Sequence, residues 1–421
     1  VDRERTIGCA ALGLIAARWL AQLALERLNE RHARAHAGTV PQEFRAVMDD
    51  ATYARSIDYT LAGSRLAYLE HTFEVLLLVI VLFSGVLPWA WAGFDHHSVV
   101  SAAVFLFINL AALSCLSLPL QWWHQFRLEQ RFGFNTTTQG TWWFDRLKGF
   151  LLAAVIGFPL LLLVLRVIGW MGSLWWVGVW ALMLTLQLLM SVLAPVLILP
   201  LFNKFIALPE GSLRERLLAL AKRTNFRAAS VQVMDGSRRS RHSNAFFTGF
   251  GRFRRIVLFD TLIAQLGEPE LEAVLAHEIG HWRRRHIAQR LVVSAAGSLA
   301  ALGAAAWISA LPSFGAAFGF LTGLDQPYTP TTAAPRLLLC VLLSGPVLFW
   351  LSPLLHGWSR RHEYEADAYA KRVIGTSGPL ITALRKLNEK NLSNLTPHPL
   401  YSGFFYSHPT LLERERALER A

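Results

Sequence analysis

Seven apolar stretches, each near the roughly 20 residues that a helix needs to cross the hydrocarbon core of a bilayer, constrain this chain more than any other feature. They run approximately over residues 7–26, 72–91, 99–120, 149–168, 174–200, 291–311 and 337–357. Lipid offers no hydrogen bonds, so such segments pair their backbone internally as helices, and the chain is expected to be an all-α multi-pass membrane protein. Arg18 and Gln22 interrupt the first stretch, leaving an interfacial helix or signal anchor as the alternative to a span. As a span, it turns Arg18 toward the bundle interior.

Charge sets the orientation. The 421 residues are 53% hydrophobic and 17% charged, yet carry +12, with 41 Lys+Arg against 29 Asp+Glu. Such a basic chain first suggests nucleic-acid binding, but its basic residues collect in alternate loops. Loop 29–65 holds Arg31, Arg34, Arg45, Arg55 and Arg65, loop 121–148 holds Arg127, Arg131, Arg146 and Lys148, and 201–287 and 359–421 hold more. The intervening connections 92–98, 167–173 and 312–335 hold none. Because basic loops stay on the cytoplasmic side, residues 29–65, 121–148, 201–290 and the C-terminal tail are expected there. The net charge is thus a topology signal, and no nucleic-acid partner is expected.

Polar residues within the stretches have two readings. Glu70, His71 and Glu74, at the cytoplasmic entrance of the second, either snorkel to the interface or act in a site. Asn109 and Gln187 either bond neighbouring helices or line a wet cavity. Cys9, Cys115 and Cys340 lie apart in apolar sequence, where each is expected to be a small buried hydrophobe.

Four regions follow: a membrane part over 1–200, a cytoplasmic insertion over 201–290, a membrane hairpin over 291–358 and a cytoplasmic tail over 359–421. In the insertion, Leu213–Thr224 has the period of an amphipathic helix, Ser230–Met234, Asn244–Phe250 and Arg255–Asp260 have that of strands, and a helix runs from about Pro269 to Arg285. On it sits His277-Glu278-Ile279-Gly280-His281. A spacing of four puts both imidazoles on one helical face, able to share one Zn²⁺, with Glu278 placed to reach a water beside it. Two solvated surface histidines are the plainer alternative.

Catalytic zinc takes a third protein ligand and keeps an open position. The last two spans form an out-and-back hairpin that returns the chain to the same side at Arg361-His362-Glu363-Tyr364-Glu365-Ala366-Asp367. Glu363 and Asp367 share a helical face, so Glu363 is assigned as ligand and Asp367 as acceptor of the outward N–H of a ligand histidine, with Glu365 the competing ligand.

These motifs, together with Ser243-Asn244-Ala245-Phe246-Phe247-Thr248-Gly249, Phe132-Gly133-Phe134-Asn135-Thr136-Thr137, Val40-Pro41 with Phe44, Asp58-Tyr59-Thr60, and Ser407-His408-Pro409 with Arg414, resemble the type I CAAX prenyl proteases. These are multi-span zinc endopeptidases to which the bacterial protease HtpX is distantly related. The resemblance implies an α+β cytoplasmic zincin-type domain, a water-filled chamber enclosed by the spans, and one Zn²⁺ on His277, His281 and Glu363, with Glu278 catalytic. It further implies that Asn244, with Ala245, Phe246 and Phe247, holds the substrate backbone, that His408 meets the carbonyl oxygen as it turns negative, and that Arg414 supports the site. Asn244 as a turn residue and His408 as a surface histidine are the blander alternatives. The implied substrate is a C-terminal CAAX peptide after a prenylated Cys. Arginine far outnumbers lysine here, a bacterial habit, so a bacterial inner membrane and an HtpX-like role on membrane-associated or damaged protein are also expected. A non-catalytic zinc-binding scaffold is the remaining class.

Overall fold

A 34-residue helix is about 50 Å long at 1.5 Å per residue, well beyond a hydrocarbon core of about 30 Å. Two such helices, α1 (Asp2–Ala35) and α2 (Asp50–Phe83), open the chain and pack together. The computed structural model describes residues 2–45, 48–226, 230–248, 255–320 and 328–420. Much of the expected loop 29–65 is therefore helix, carried past the apolar layer. The expected span 72–91 is cut after Phe83, where Gly85 takes φ +81° and a new short helix, Val86–Ala92, begins. A left-handed residue ends a helix, and glycine adopts it at no steric cost.

The middle of the bundle comprises α3 (Val99–Leu116), α4 (Gln139–Leu152), α5 (Phe158–Met171) and α6 (Trp175–Leu193). Among the described residues, Gln139–Phe202 forms one of six apolar helical stretches long enough to cross a membrane, and its 64 residues are too many for one crossing. It reverses at Gly172, φ +53°, and α6 returns along α5 with Gly178 set where a Cβ would collide with Val167 and Met171. Six stretches thus supply the seven legs expected. Arg18 turns inward, as the span reading requires, and pairs with Glu74 at 3.2 Å, while Gln22 meets His71 at 3.3 Å. Asn109 donates to the Phe105 carbonyl of its own helix at 2.8 Å. Cys9 and Cys115 are exposed and Cys340 is half-buried, which corrects the expectation of burial. On lipid-facing helices an exposed apolar side chain is already in its preferred solvent.

Past α6 come β1 (Phe205–Ala207), α7 (Ser212–Arg223), β2 (Ser230–Met234), β3 (Ala245–Thr248), β4 (Arg255–Phe259) and α8 (Glu268–Arg283). The sheet order is β1-β2-β4-β3. β2 and β4 are parallel, and the other two pairs are antiparallel. β1 is too short to show in sequence, and the turn expected at Gly249 and Gly251 lies outside the described residues. Beyond α8 run α9 (His286–Ser309), α10 (Pro330–Leu348), α11 (Ser352–Ile374), α12 (Gly378–Lys390) and α13 (Leu411–Arg420). α9 leads away from α8, and α10 packs against it and returns the chain to α11, as the hairpin expectation requires.

One buried cluster joins Leu217, Ile256, Leu258, Leu271, Leu275, Ala383 and Leu418 with Phe44, Tyr53 and Ile57 from the N-terminal region. A second, of Ile15, Leu82, Phe105, Leu165 and Leu338, fills the helix bundle. Within the first, α8 lies on α11 at near backbone contact. A Cβ at Gly280 would stand 3.0 Å from Ala366 Cα and 3.1 Å from its carbonyl oxygen. Overpacking a tight contact costs about 1–3 kcal/mol, so Gly280→Ala is expected to lower stability by that order, read as a drop in Tm of the detergent-solubilised protein.

Candidate metal centre and active site

The close approach of α8 and α11 brings three side chains to one point. α8 starts with Glu270 accepting the Gly267 N–H at 2.7 Å and Pro269 in its first turn, which satisfies one orphan donor and presets the backbone. Two turns on, His277 and His281 project from one face toward Glu363 on α11. His277 Nε2 is 3.2 Å from His281 Nε2 and 3.4 Å from Glu363 Oε2, and His281 Nε2 is 3.3 Å from Glu363 Oε1. Ligands at about 2.0–2.1 Å from a tetrahedral ion would lie roughly 3.3 Å from one another, so the triangle has the dimensions of a metal site. Glu363 is 2% exposed, and among the described residues its Oε2 has no hydrogen-bond donor. Such an orphaned, buried acceptor is costly unless a cation satisfies it. These three side chains form a group able to hold a metal.

Glu365, the competing ligand, turns away. It meets His286 at 3.2 Å and Arg361 at 3.3 Å. Asp367 goes where the spacing puts it, accepting His277 Nδ1–H at 2.8 Å. Arg414 then clamps Asp367, Nε to Oδ2 at 2.8 Å and Nη2 to Oδ1 at 2.6 Å, a two-pronged bond nine-tenths buried. Arg414 thus holds the carboxylate that in turn meets the His277 ring. Burial opposes charging His277, but the Asp367 and Glu363 carboxylates outweigh it and raise its pKa to about 9. Burial pushes Glu278 above the usual carboxylate range, against the pull of the two imidazoles. His408 lies at the rim, Nε2 3.6 Å from Glu363 Oε1 and Nδ1 3.1 Å from Ser407 Oγ. Its ring faces a cavity of about 690 Å³ that Arg414 also borders.

Asn244 is exposed and precedes β3, its carbonyl accepting Phe259 N–H and its side chain accepting Ala245 N–H. Ala245, Phe246 and Phe247 pair with Leu258, Val257 and Ile256. β3 is the sheet edge, with no strand on its outer side among the described residues. An exposed edge presents unpaired N–H and C=O groups to an incoming peptide.

What sequence reasoning missed is how this strand is held. His242 lies between Glu129 Oε2 and Asn391 Oδ1, each at 3.0 Å, and Tyr59 donates to Glu129 at 2.5 Å. Thr136 and Thr137 hydroxyls donate to the Ser237 and Arg239 carbonyls, and Arg239 forks onto Asp145. The Phe132–Thr137 motif thus anchors the strand's approach to the membrane helices.

A multi-pass bundle bearing a two-histidine, one-carboxylate centre beside an open sheet edge defines a membrane metallopeptidase. Residues 29–204 match the family model described as CAAX prenyl protease N-terminal, five membrane helices, and residues 207–421 match Peptidase family M48. CAAX prenyl protease 1 of Saccharomyces cerevisiae is 35% identical over 88% of this chain and 86% of its own length. The Homo sapiens CAAX prenyl protease 1 homolog is 31% identical over 95% and 93%. The crystal structure of S. mikatae Ste24p superposes with TM-score 0.87 at 33% identity, covering 97% of this chain and 98% of that one. The chain belongs to the M48 metalloendopeptidases, among the CAAX prenyl protease 1 homologues. The relatives named are eukaryotic, so the expectation of a bacterial inner membrane rests on arginine usage alone.

With acceptors on both ring nitrogens, His242 favours its charged form. The Glu129 bond raises its pKa above 6.5, against the effect of burial. A histidine raised on folding contributes stability below its unfolded value and loses it as pH rises through the folded one. The Tm gap between the parent protein and Glu129→Gln is therefore expected to be wider at pH 6 than at pH 9.

Proposed function

We propose that the protein is a zinc-dependent endopeptidase that cuts near the C-terminus of prenylated CAAX-type or other membrane-associated proteins, with its site facing the cytoplasm. The observation that carries the metal assignment is the His277, His281 and Glu363 triangle, with the unsatisfied Glu363 oxygen inside it. Both imidazoles and a carboxylate suit zinc, which when bound supplies Lewis acidity and makes water acidic enough to lose a proton near neutral pH.

The side chains supply the rest. Glu278 takes the proton of the attacking water and passes it to the leaving amine, a role suited by its raised pKa. His408 donates to the carbonyl oxygen as it becomes negative. Burial and Arg414 lower its pKa despite the pull of Glu363, which makes it a neutral donor. Asp367, clamped by Arg414, keeps His277 in the tautomer that presents Nε2 inward. The substrate adds as a strand outside Asn244, Ala245, Phe246 and Phe247, so main-chain bonds hold it extended across the site. The bilayer is the second partner, and the basic loops on the side of the site support the cytoplasmic orientation.

Glu278→Gln is expected to lower kcat/KM by roughly 10²–10⁴ while leaving the zinc content of the purified protein unchanged. Undiminished peptide cleavage by this variant sinks the assignment. Substrate class is read from product masses on a farnesylated CAAX peptide and its unlipidated twin. Preference for the lipidated peptide, with release of the C-terminal tripeptide, is expected, and equal turnover argues for a broader role on membrane-associated protein.

A further inference from the structure

The two candidate histidine ligands are supported differently. His277 rests on the Asp367 carboxylate, whereas His281 Nδ1 lies 3.0 Å from Nδ1 of His286. His286 is 1% exposed, and its Nε2 stands 3.2 Å from Glu365 Oε2. Its ring stacks on His362, centroids 4.0 Å apart and planes 6° from parallel, and Trp358 meets His362 edge-on at 4.5 Å. Backbone geometry builds this placement. α8 ends at Arg283, and Arg285 adopts φ +59°, a left-handed conformation unusual for a residue with a Cβ, so α9 starts with His286 beneath His281.

Proton positions follow from the contacts. His281 Nε2 faces His277 Nε2 and Glu363, so in the metal-centre reading it presents its lone pair there and Nδ1 carries the hydrogen. That hydrogen points at His286 Nδ1, which must accept. His286 then holds its own hydrogen on Nε2, facing Glu365.

We propose that His286 is a positioning residue for His281, the middle of a relay in which His281 Nδ1–H donates to His286 Nδ1 and His286 Nε2–H donates to the Glu365 carboxylate. The relay fixes the ring and tautomer of His281, as Asp367 and Arg414 fix those of His277. It gives the otherwise unassigned His286 and the rejected ligand Glu365 one shared task. The proposal rests on the metal-centre reading above.

The test uses the full-length protein in detergent and zinc itself as probe, with affinity measured by competition against a chelator. Asparagine places an acceptor oxygen where His286 has Nδ1, whereas leucine fills similar space without one. His286→Leu is expected to bind zinc about 10–100-fold more weakly, the usual cost of losing such a support. His286→Asn is expected to stay within about threefold of the parent protein. Thermal unfolding of the chelated proteins verifies that both variants fold, and the visible spectrum of the cobalt form is expected to shift in His286→Leu and hold in His286→Asn. Equal affinity of His286→Leu and parent overturns the relay alone. Equal losses in both variants also overturn it, since packing rather than the hydrogen bond then matters. A parent protein that binds no zinc overturns the metal-centre reading and the relay with it.

Discussion

Gly280 lying on Ala366 is the contact on which the candidate site depends. Neither residue does chemistry, yet their lack of side-chain bulk lets two helices, separated in sequence by a membrane hairpin, approach to backbone distance. The donors of His277, His281 and Glu363 then fall within 3.2–3.4 Å of one another. Bringing three such polar side chains out of water costs desolvation that their mutual contacts must offset. They remain together because Arg414 and Asp367 brace one imidazole from behind while His286 lies behind the other.

The two regions matched by separate family models are one mechanical object. Phe44, Tyr53 and Ile57 precede most of the spans, yet they complete the core beneath α8. In the other direction, the Phe132–Thr137 loop grips the segment leading into β3, and Glu129 holds His242 two residues before Asn244. A sheet edge that is to take a peptide must keep its register relative to the candidate metal centre. Here the register is set partly from the membrane side.

Much of this was legible in the residues, and the exceptions have physical reasons. The apolar legs, the strands near 230, 245 and 255, and the helix carrying His277 and His281 follow from composition and local periodicity. The spacing of four puts Glu363 and Asp367 on one helical face, and in the fold Glu363 stands beside both histidines while Glu365 meets His286 and Arg361. Arg414 was expected near the site, but its bond to Asp367 depends on how the last helix docks, which no local pattern encodes. His286 follows Arg283, Arg284 and Arg285 in sequence, and no local period singles it out. Its signal lay in the reversal at Arg285, visible only once a positive φ is known. The break at Gly85 was hidden because the apolar run continues through it, and hydropathy does not register a turn that stays in lipid.

The arrangement of the peptidase core has a consequence for biosynthesis. Residues 44–57 leave the ribosome before most of the apolar legs, while Leu411 and Leu418, which pack in the same core, emerge only after the last of them. Between them six of the seven apolar legs must be threaded into the bilayer, and Glu363 arrives only after the final leg. A partly inserted chain therefore has two histidines without the carboxylate that lies beside them. The group of His277, His281 and Glu363 is completed only once the final leg is made, so the order of synthesis itself places assembly of the candidate site last.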